Sequence, residues 1–261
     1  MLQVKSVTKH LLDKCRNFLT QDLTGNVLVL GDCYSPLLEA STLYCACDSN
    51  EVVGVCSVFH GFSKPAVALG ASSNQVKRLL LETALNEVED EFISIIPVTE
   101  FDFLMQYASL VDFHYEQQMV TNTPHKVNDI NEAVRVSEDE LSELNNFYIK
   151  ECSPGWIPLQ FKVGPVYCVK QEGSIVSAAG VHICTPYIAQ LGNIVTEEAY
   201  RNRGFASACT SALTMQLAVN NRIVSLYVKI NNRPAIHVYE KLSFNKKREV
   251  IFVTMRKKAA R

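Results

Sequence analysis

Between Ile188 and Ile230 the chain reads as strand, glycine joint, helix and strand: "IAQLGNIV", "YRNRG", "FASACTSALTMQLAVNN" and "RIVSLYVKI". A helix between two strands cannot be a tight hairpin, so the flanking strands are expected to pair in parallel. The neighbouring segments are of another kind. "PVYCVKQEGSIVSAAGVHIC" is two strand-like runs joined at Glu172-Gly173, a hairpin signal. "DELSELNNFYIKEC" has helical apolar spacing with acidic residues near its start, and "PAIHVYEKL" is a short helix with Pro in its first turn. "EVIFVTM" is the closing strand. The expected class is therefore α/β (α+β), a mostly antiparallel mixed sheet with a central parallel pair, flanked by helices.

The 261 residues suffice for one large domain or two ordinary ones. The N-terminal half repeats the order of elements without repeating residues. "STLYCACDS" and "EVVGVCSVFHG" predict a hairpin, "PAVALGASS" a strand, "NQVKRLLLETALNEVEDEF" a helix and "ISIIPV" a strand. "EFDFLMQYASLVDF" is helical at its start, and "HYEQQMVTN" is placed to close the sheet. The polar stretch "TNTPHKVNDINE" separates the halves, which divides the chain into 1–125 and 126–261.

The glycine joint carries the chemistry. The first amides of a helix have no partner within it, and with the helix dipole they form an anion site. Gly204 permits positive φ and close backbone approach, and Ala206 and Ser207 are small. Arg201 and Arg203 supply positive charge for phosphate oxygens. Neither Gly-x-x-x-x-Gly-Lys-Ser/Thr nor Gly-x-Gly-x-x-Gly is present.

The run "GNIVTEEAYRNRGFASA", followed by a helix and "SLYVKINNRPAIHVYEKLSF", resembles the GCN5-related N-acetyltransferase (GNAT) superfamily and, within it, the FR47-like acetyltransferases. The Arg/Gln-x-x-Gly-x-Gly/Ala signature falls on Arg201, Gly204 and Ala206. The second signature falls on Asn232, Ala235, Tyr239, Glu240, Lys241 and Phe244. The resemblance reaches back to about residue 130, and both signatures stand in the family's order. Ser243 departs from the pattern, because the family usually has Gly there; an ordinary turn is expected to replace a left-handed one.

The resemblance implies a GNAT fold over 126–261, an acetyl-CoA co-substrate, and a degenerate GNAT-like domain over 1–125. It implies that the amides of Asn202, Arg203, Gly204, Phe205, Ala206 and Ser207 take the pyrophosphate, with Arg201 beside them. It implies that Ile194 and Val195 pair with the pantetheine arm through main-chain bonds, and that Asn232 contacts the pantetheine or phosphate region. Tyr239 is then the general acid that protonates the departing thiolate, since a neutral phenol is a donor at physiological pH. The base is left open. Several family members place a Glu on the strand before the joint, where this chain has Gln190. His182 is the side-chain candidate, beside Glu151, Glu197, Glu198 and a water chain. "SPGWIP" around Trp156 is an expected wall of the acceptor pocket. In the N-terminal half "LGASSNQVKRLL" stands where the joint would be, so no CoA site is expected there.

The net charge of -2 gives no field for nucleic acid or an acidic membrane. The N-terminal "MLQVKSVTKHLLDKC" has charges throughout, unlike a signal peptide, and the uncharged stretch from Gly173 to Thr196 is too broken to span a membrane. Nine cysteines, scattered and odd in number, read as reduced apolar residues of a cytoplasmic protein, with no metal site; Cys45-x-Cys47 shares one strand face but has no second pair. The expected function is acetyl transfer from acetyl-CoA to a primary amine of a small molecule or protein, by a monomer or homodimer. The alternative is a CoA-binding sensor or scaffold without turnover.

Overall fold

The computed structural model describes residues 1–124, 133–153, 155–219 and 222–258. They form two compact units: Met1–Glu116 with Glu249–Arg261, and Gln117–Arg248. The division expected at 125/126 lies outside the described residues. The closing strand counts with the first unit, where the sequence reading had it close the second.

In the first unit the chain runs β1 (Gln3–Ser6), α1 (Lys9–Leu19), α2 (Val27–Gly31), β2 (Ser41–Asp48), β3 (Glu51–Phe59), β4 (Ala66–Ala71), α3 (Asn74–Asn86), β5 (Glu91–Pro97) and α4 (Phe101–Leu104). β6 (Ala108–Thr121) begins in this unit, and its residues from Gln117 belong to the second. β1 through β5 lie side by side in chain order, and β5 takes the chain's last strand, β12 (Asn245–Lys257), as its antiparallel neighbour, Val250 opposite Pro97 through Arg256 opposite Glu91. β4 and β5 are parallel, across α3. α3 packs Val76, Leu80, Leu81, Ala84 and Leu85 into a core shared with Phe92, Val253 and Met255. Each such side chain contributes about 1.5–3 kcal/mol when fully buried. Ser73 caps α3, its hydroxyl accepting from the Val76 amide at 3.3 Å.

The second unit contains β7 (Val134–Arg135), α5 (Leu141–Lys150), β8 (Tyr167–Gln171), β9 (Ser174–Cys184), β10 (Ile188–Thr196), α6 (Phe205–Leu217), β11 (Ile223–Lys229) and α7 (Arg233–Lys241). The strand order is β6-β11-β10-β9-β8-β7. The β8–β9 hairpin turns at Glu172 (φ 51°) and Gly173 (φ 82°), both in the left-handed region, as a two-residue turn of right-twisted strands requires. β10 and β11 are the expected parallel pair, linked by α6. Ala208, Cys209, Leu213 and Leu217 of α6 pack with Ala189, Leu191, Val224, Leu226 and Val228 on one sheet face, together with Ile236 and Tyr239 of α7. The other face packs on α5 through Leu144, Phe147 and Tyr148.

Among the described residues no helix is long and apolar enough to cross a membrane. All nine cysteines are unpaired, with Sγ of Cys45 and Cys47 3.8 Å apart on one face of β2.

Candidate active site

β10 is regular only as far as Leu191. Its pairing with β11 runs from Ile188–Ile223 to Leu191–Leu226 and stops, although β10 continues to Thr196 and β11 to Lys229. Its pairing with β9 shifts by one residue between Gly192 and Val195, which is a β-bulge. The bulge is built on Asn193, at φ 52°. It also re-phases the side chains. Leu191 and Ile194, three apart, both pack on the α6–α7 core, whereas Val195 packs on the α5 core. Three side chains hold it: the Tyr148 hydroxyl donates to the Asn193 carbonyl at 2.9 Å, Ser153 Oγ donates to Asn193 Oδ1 at 3.0 Å, and Asn193 Nδ2 donates to Gln160 Oε1 at 2.7 Å. Beyond the bulge, Val195 and Thr196 stay paired with Ala178 and Ser177 of β9, so the β11-side edge of Ile194 and Val195 carries no strand partner.

The chain then makes one turn, Glu198–Tyr200, and enters α6 through two left-handed residues, Asn202 (φ 63°) and Gly204 (φ 83°). Among the described residues, the amides of Asn202, Arg203, Gly204, Phe205, Ala206 and Ser207 make no backbone hydrogen bond. No side chain caps α6, and no acid lies in its first turn. This differs from α3, where Ser73 supplies the cap. Unused amides beside a helix dipole are chemically suited to cradle an anion. A Cβ built on Gly204 meets nothing within 4 Å, so the glycine is required by its φ and by whatever approaches it, not by crowding within the chain. Arg201 and Arg203 are exposed at the rim. Arg201 Nε donates to the Thr196 carbonyl and an Arg203 guanidinium N–H to the Ala199 carbonyl, both at 3.3 Å, and the Arg203 guanidinium lies 5.1 Å over the Tyr200 ring.

α7 begins at Asn232, whose Oδ1 accepts from the Ala235 amide at 3.3 Å. Asn232 is thus a helix cap, and only its Nδ2 is left for a ligand. α7 ends in a Schellman turn: the Phe244 amide donates to the Tyr239 carbonyl (2.9 Å) and the Ser243 amide to the Glu240 carbonyl (3.0 Å). Ser243 sits at φ 67°, so the left-handed turn survives without glycine; the ordinary turn expected at this position is not formed. The turn brings the Phe244 ring edge-on to Tyr239, with centroids 6.1 Å apart. The Tyr239 side chain is 6% exposed, and its hydroxyl makes no hydrogen bond among the described residues. Burial pushes its pKa above the ordinary phenol value, so the group is a proton donor across the physiological range.

On the α5 face, Gln190 is 3% exposed and its Oε1 has no hydrogen-bond partner among the described residues. His182 is the extra residue where the β9–β10 register shifts between Gln190 and Leu191. Its ring lies over Gly192, where any Cβ would collide with it, and against Gly155, whose Cβ would stand 3.3 Å from His182 Cε1. Its buried Nε2 has no hydrogen-bond partner among the described residues, and burial lowers its pKa, with the Asn193 side chain opposing. The Trp156 ring lies tilted 4.5 Å from that of Tyr148, and its Nε1 donates to Asn145 Oδ1, which places the expected pocket wall beside the bulge; Pro154 of that loop lies outside the described residues. Of the candidate acids, Glu197 is engaged by Lys150 at 2.6 Å.

The bulge residue Asn193 and its anchor Tyr148 were not singled out from sequence. The signal was present: Gly-Asn inside an apolar strand run marks a bulge.

Residues 171–253 match the family model described as FR47-like protein. A search of curated proteins by sequence finds no match. Among solved structures, the chain is similar to a GNAT-family protein from Novosphingobium aromaticivorans (19% identity, TM-score 0.66, covering 91% of this chain and 99% of that one). It is also similar to a tandem GNAT protein from the clavulanic acid biosynthesis pathway (12% identity, TM-score 0.64, all of both chains). A Drosophila protein gives a TM-score of 0.72 at 8% identity, over 97% of this chain and 98% of that one. The chain has the fold of the GCN5-related N-acetyltransferases, and its residues 171–253 match the FR47-like family model.

Proposed function

We propose that the protein is an acetyl-CoA-dependent N-acetyltransferase acting on a primary amine of a small molecule or a protein. The observation that carries this reading is the open joint at Asn202–Ser207: six amides without backbone partners, with two exposed arginines at the rim, directly after a strand that has parted from its parallel neighbour. A pyrophosphate fits the amides, and a pantetheine arm fits the unpaired edge of Ile194 and Val195. Tyr239, buried and without a hydrogen-bond partner among the described residues, is suited to give its proton to the departing thiolate.

A second reading is favoured by Gln190, which cannot act as a base: a CoA-binding sensor that does not turn over. Thiol release from acetyl-CoA with a panel of primary amines, run beside calorimetric binding of CoA, separates the two. Turnover above the amine-free rate supports the transferase. Saturable CoA binding without turnover on any amine supports the sensor, and absence of CoA binding refutes both.

A further inference from the structure

The α5 face of β10 and β11 bears a row of polar side chains. Gln190 and Ser225 are register partners there, Tyr227 follows two residues on, and the His182 ring fills the space over Gly192, two residues beyond Gln190. Leu191, Leu226 and Tyr239 occupy the opposite face. The strands part directly after Leu191 and Leu226, so the row ends at the gap, on the side away from Tyr239. Two atoms in this row, Gln190 Oε1 and His182 Nε2, are buried and have no hydrogen-bond partner among the described residues, an unfavourable state that a ligand's donor would relieve. Glycine at both 192 and 155 is what makes room for the imidazole.

We propose, resting on the transferase reading above, that His182 is the catalytic base and that Gln190 binds the acceptor nitrogen beside it. The acceptor amine donates an N–H to Gln190 Oε1, and its ammonium proton passes to His182 Nε2 and from there to solvent. The freed nitrogen forms its bond to the acetyl carbon as the C–S bond breaks. The sulfur leaves with the electron pair and takes the Tyr239 proton, and the surplus proton on the new amide nitrogen restores the phenol through water. Ammonium and thioester become amide, thiol and one released proton.

Against the His182 ring lie Gly192 and Asn193 of β10 and Gly155 of the loop. Tyr148 of α5, which donates to the Asn193 carbonyl, has its phenol held well above its ordinary value by burial; Cys184, two residues along β9, is likewise raised by burial, with the Arg222 guanidinium beside it opposing. Lys150 pairs with Glu197, and Lys170 with Glu140 and Glu143. A neutral imidazole with a depressed pKa accepts protons at neutral pH and stops accepting below that pKa.

The test uses the full chain with acetyl-CoA and the amine panel. The acid limb of kcat/KM for the wild type should fall below the ordinary His value of about 6.5 and match the pKa of the His182 Cε1–H resonance read by NMR. H182Q should lower kcat/KM about a hundredfold and abolish that limb while CoA affinity holds. Q190A should raise the KM of the amine severalfold and keep the limb. A wild type that turns over with a limb unmatched to the His182 resonance, or an H182Q that keeps rate and limb, overturns the proposal and leaves the transferase reading standing. A wild type that binds CoA and never turns over overturns both. The NMR comparison needs only the wild type, so it decides even where H182Q fails to fold.

Discussion

Gly204 offers the sharpest perturbation of the anion cradle, because its two possible roles separate. Its φ of 83° is costly for any residue with a Cβ, about 1–2 kcal/mol for alanine. Its surroundings are empty, so Gly204→Ala creates no clash within the chain. Stability should therefore fall by about 1–2 kcal/mol. Affinity for acetyl-CoA should fall further, because the methyl enters the space where phosphate oxygens would meet six amides. Loss of one or two charge-assisted bonds, at about 1.5–3 kcal/mol each, corresponds to a Kd raised tenfold or more. Gly204→Asn is the control. Asn tolerates the left-handed region, so it should recover much of the stability and none of the affinity. Urea unfolding and calorimetry on the three proteins give both numbers. If Gly204→Asn binds acetyl-CoA as the wild type does, close approach to Gly204 is not needed, and the cradle reasoning is refuted.

Tyr239→Phe should reduce kcat and kcat/KM together by about 10²-fold with cofactor affinity retained; because burial raises the phenol's pKa, wild-type activity should persist above pH 10, the ordinary value, and steady-state rates against pH check both. Asp32 is buried, accepts the Ser57 hydroxyl at 2.6 Å, and is pushed up to about 7 by desolvation. A carboxyl whose folded pKa is raised stabilises fully below its unfolded value of 3.8 and loses that contribution as pH climbs towards about 7, so Asp32→Asn should be the more stable protein at pH 8, by roughly 2–4 kcal/mol, with the gap closing at pH 4 in urea unfolding. Ser243→Gly should relieve the left-handed strain at φ 67° and raise stability by about 1 kcal/mol in the same measurement; no gain would mean that the Schellman turn carries no strain there.

Periodicity and punctuation carried the fold a long way. The parallel pair, the Glu172-Gly173 hairpin, α3, α6 and α7 all follow from apolar spacing and turn chemistry read along the chain. The partner of the last strand did not. "EVIFVTM" says that a strand forms, yet nothing in its alternation distinguishes β5 from a nearer neighbour, because pairing is decided by the face each strand offers and not by its own sequence. The left-handed residues divide in the same way. Gly204 and Gly173 announce themselves, since glycine is selected for that conformation. Asn193 is signalled only by its place after Gly192 in an apolar run, and Ser243 by nothing of its own, because surrounding contacts hold them there: Tyr148, Gln160 and Ser153 for the first, two closing amides for the second.

The two helix N-termini after the parallel strands show how a local difference decides where a ligand can bind. In the first unit, Ser73 turns its hydroxyl to the Val76 amide, so α3 satisfies part of its own first turn. Gly70, just before it, is closed as well, since a Cβ there would strike Asn26. In the second unit the corresponding helix opens on a glycine, has no side chain that can reach back, and begins after two left-handed residues that turn consecutive amides outward. Residues 201–204, which lead into the helix, are exposed, and Phe205 is the first buried residue of α6. With Arg201 and Arg203 exposed at the rim, the second joint has the chemistry the proposed function asks of a phosphate site, and the first has that of a structural turn.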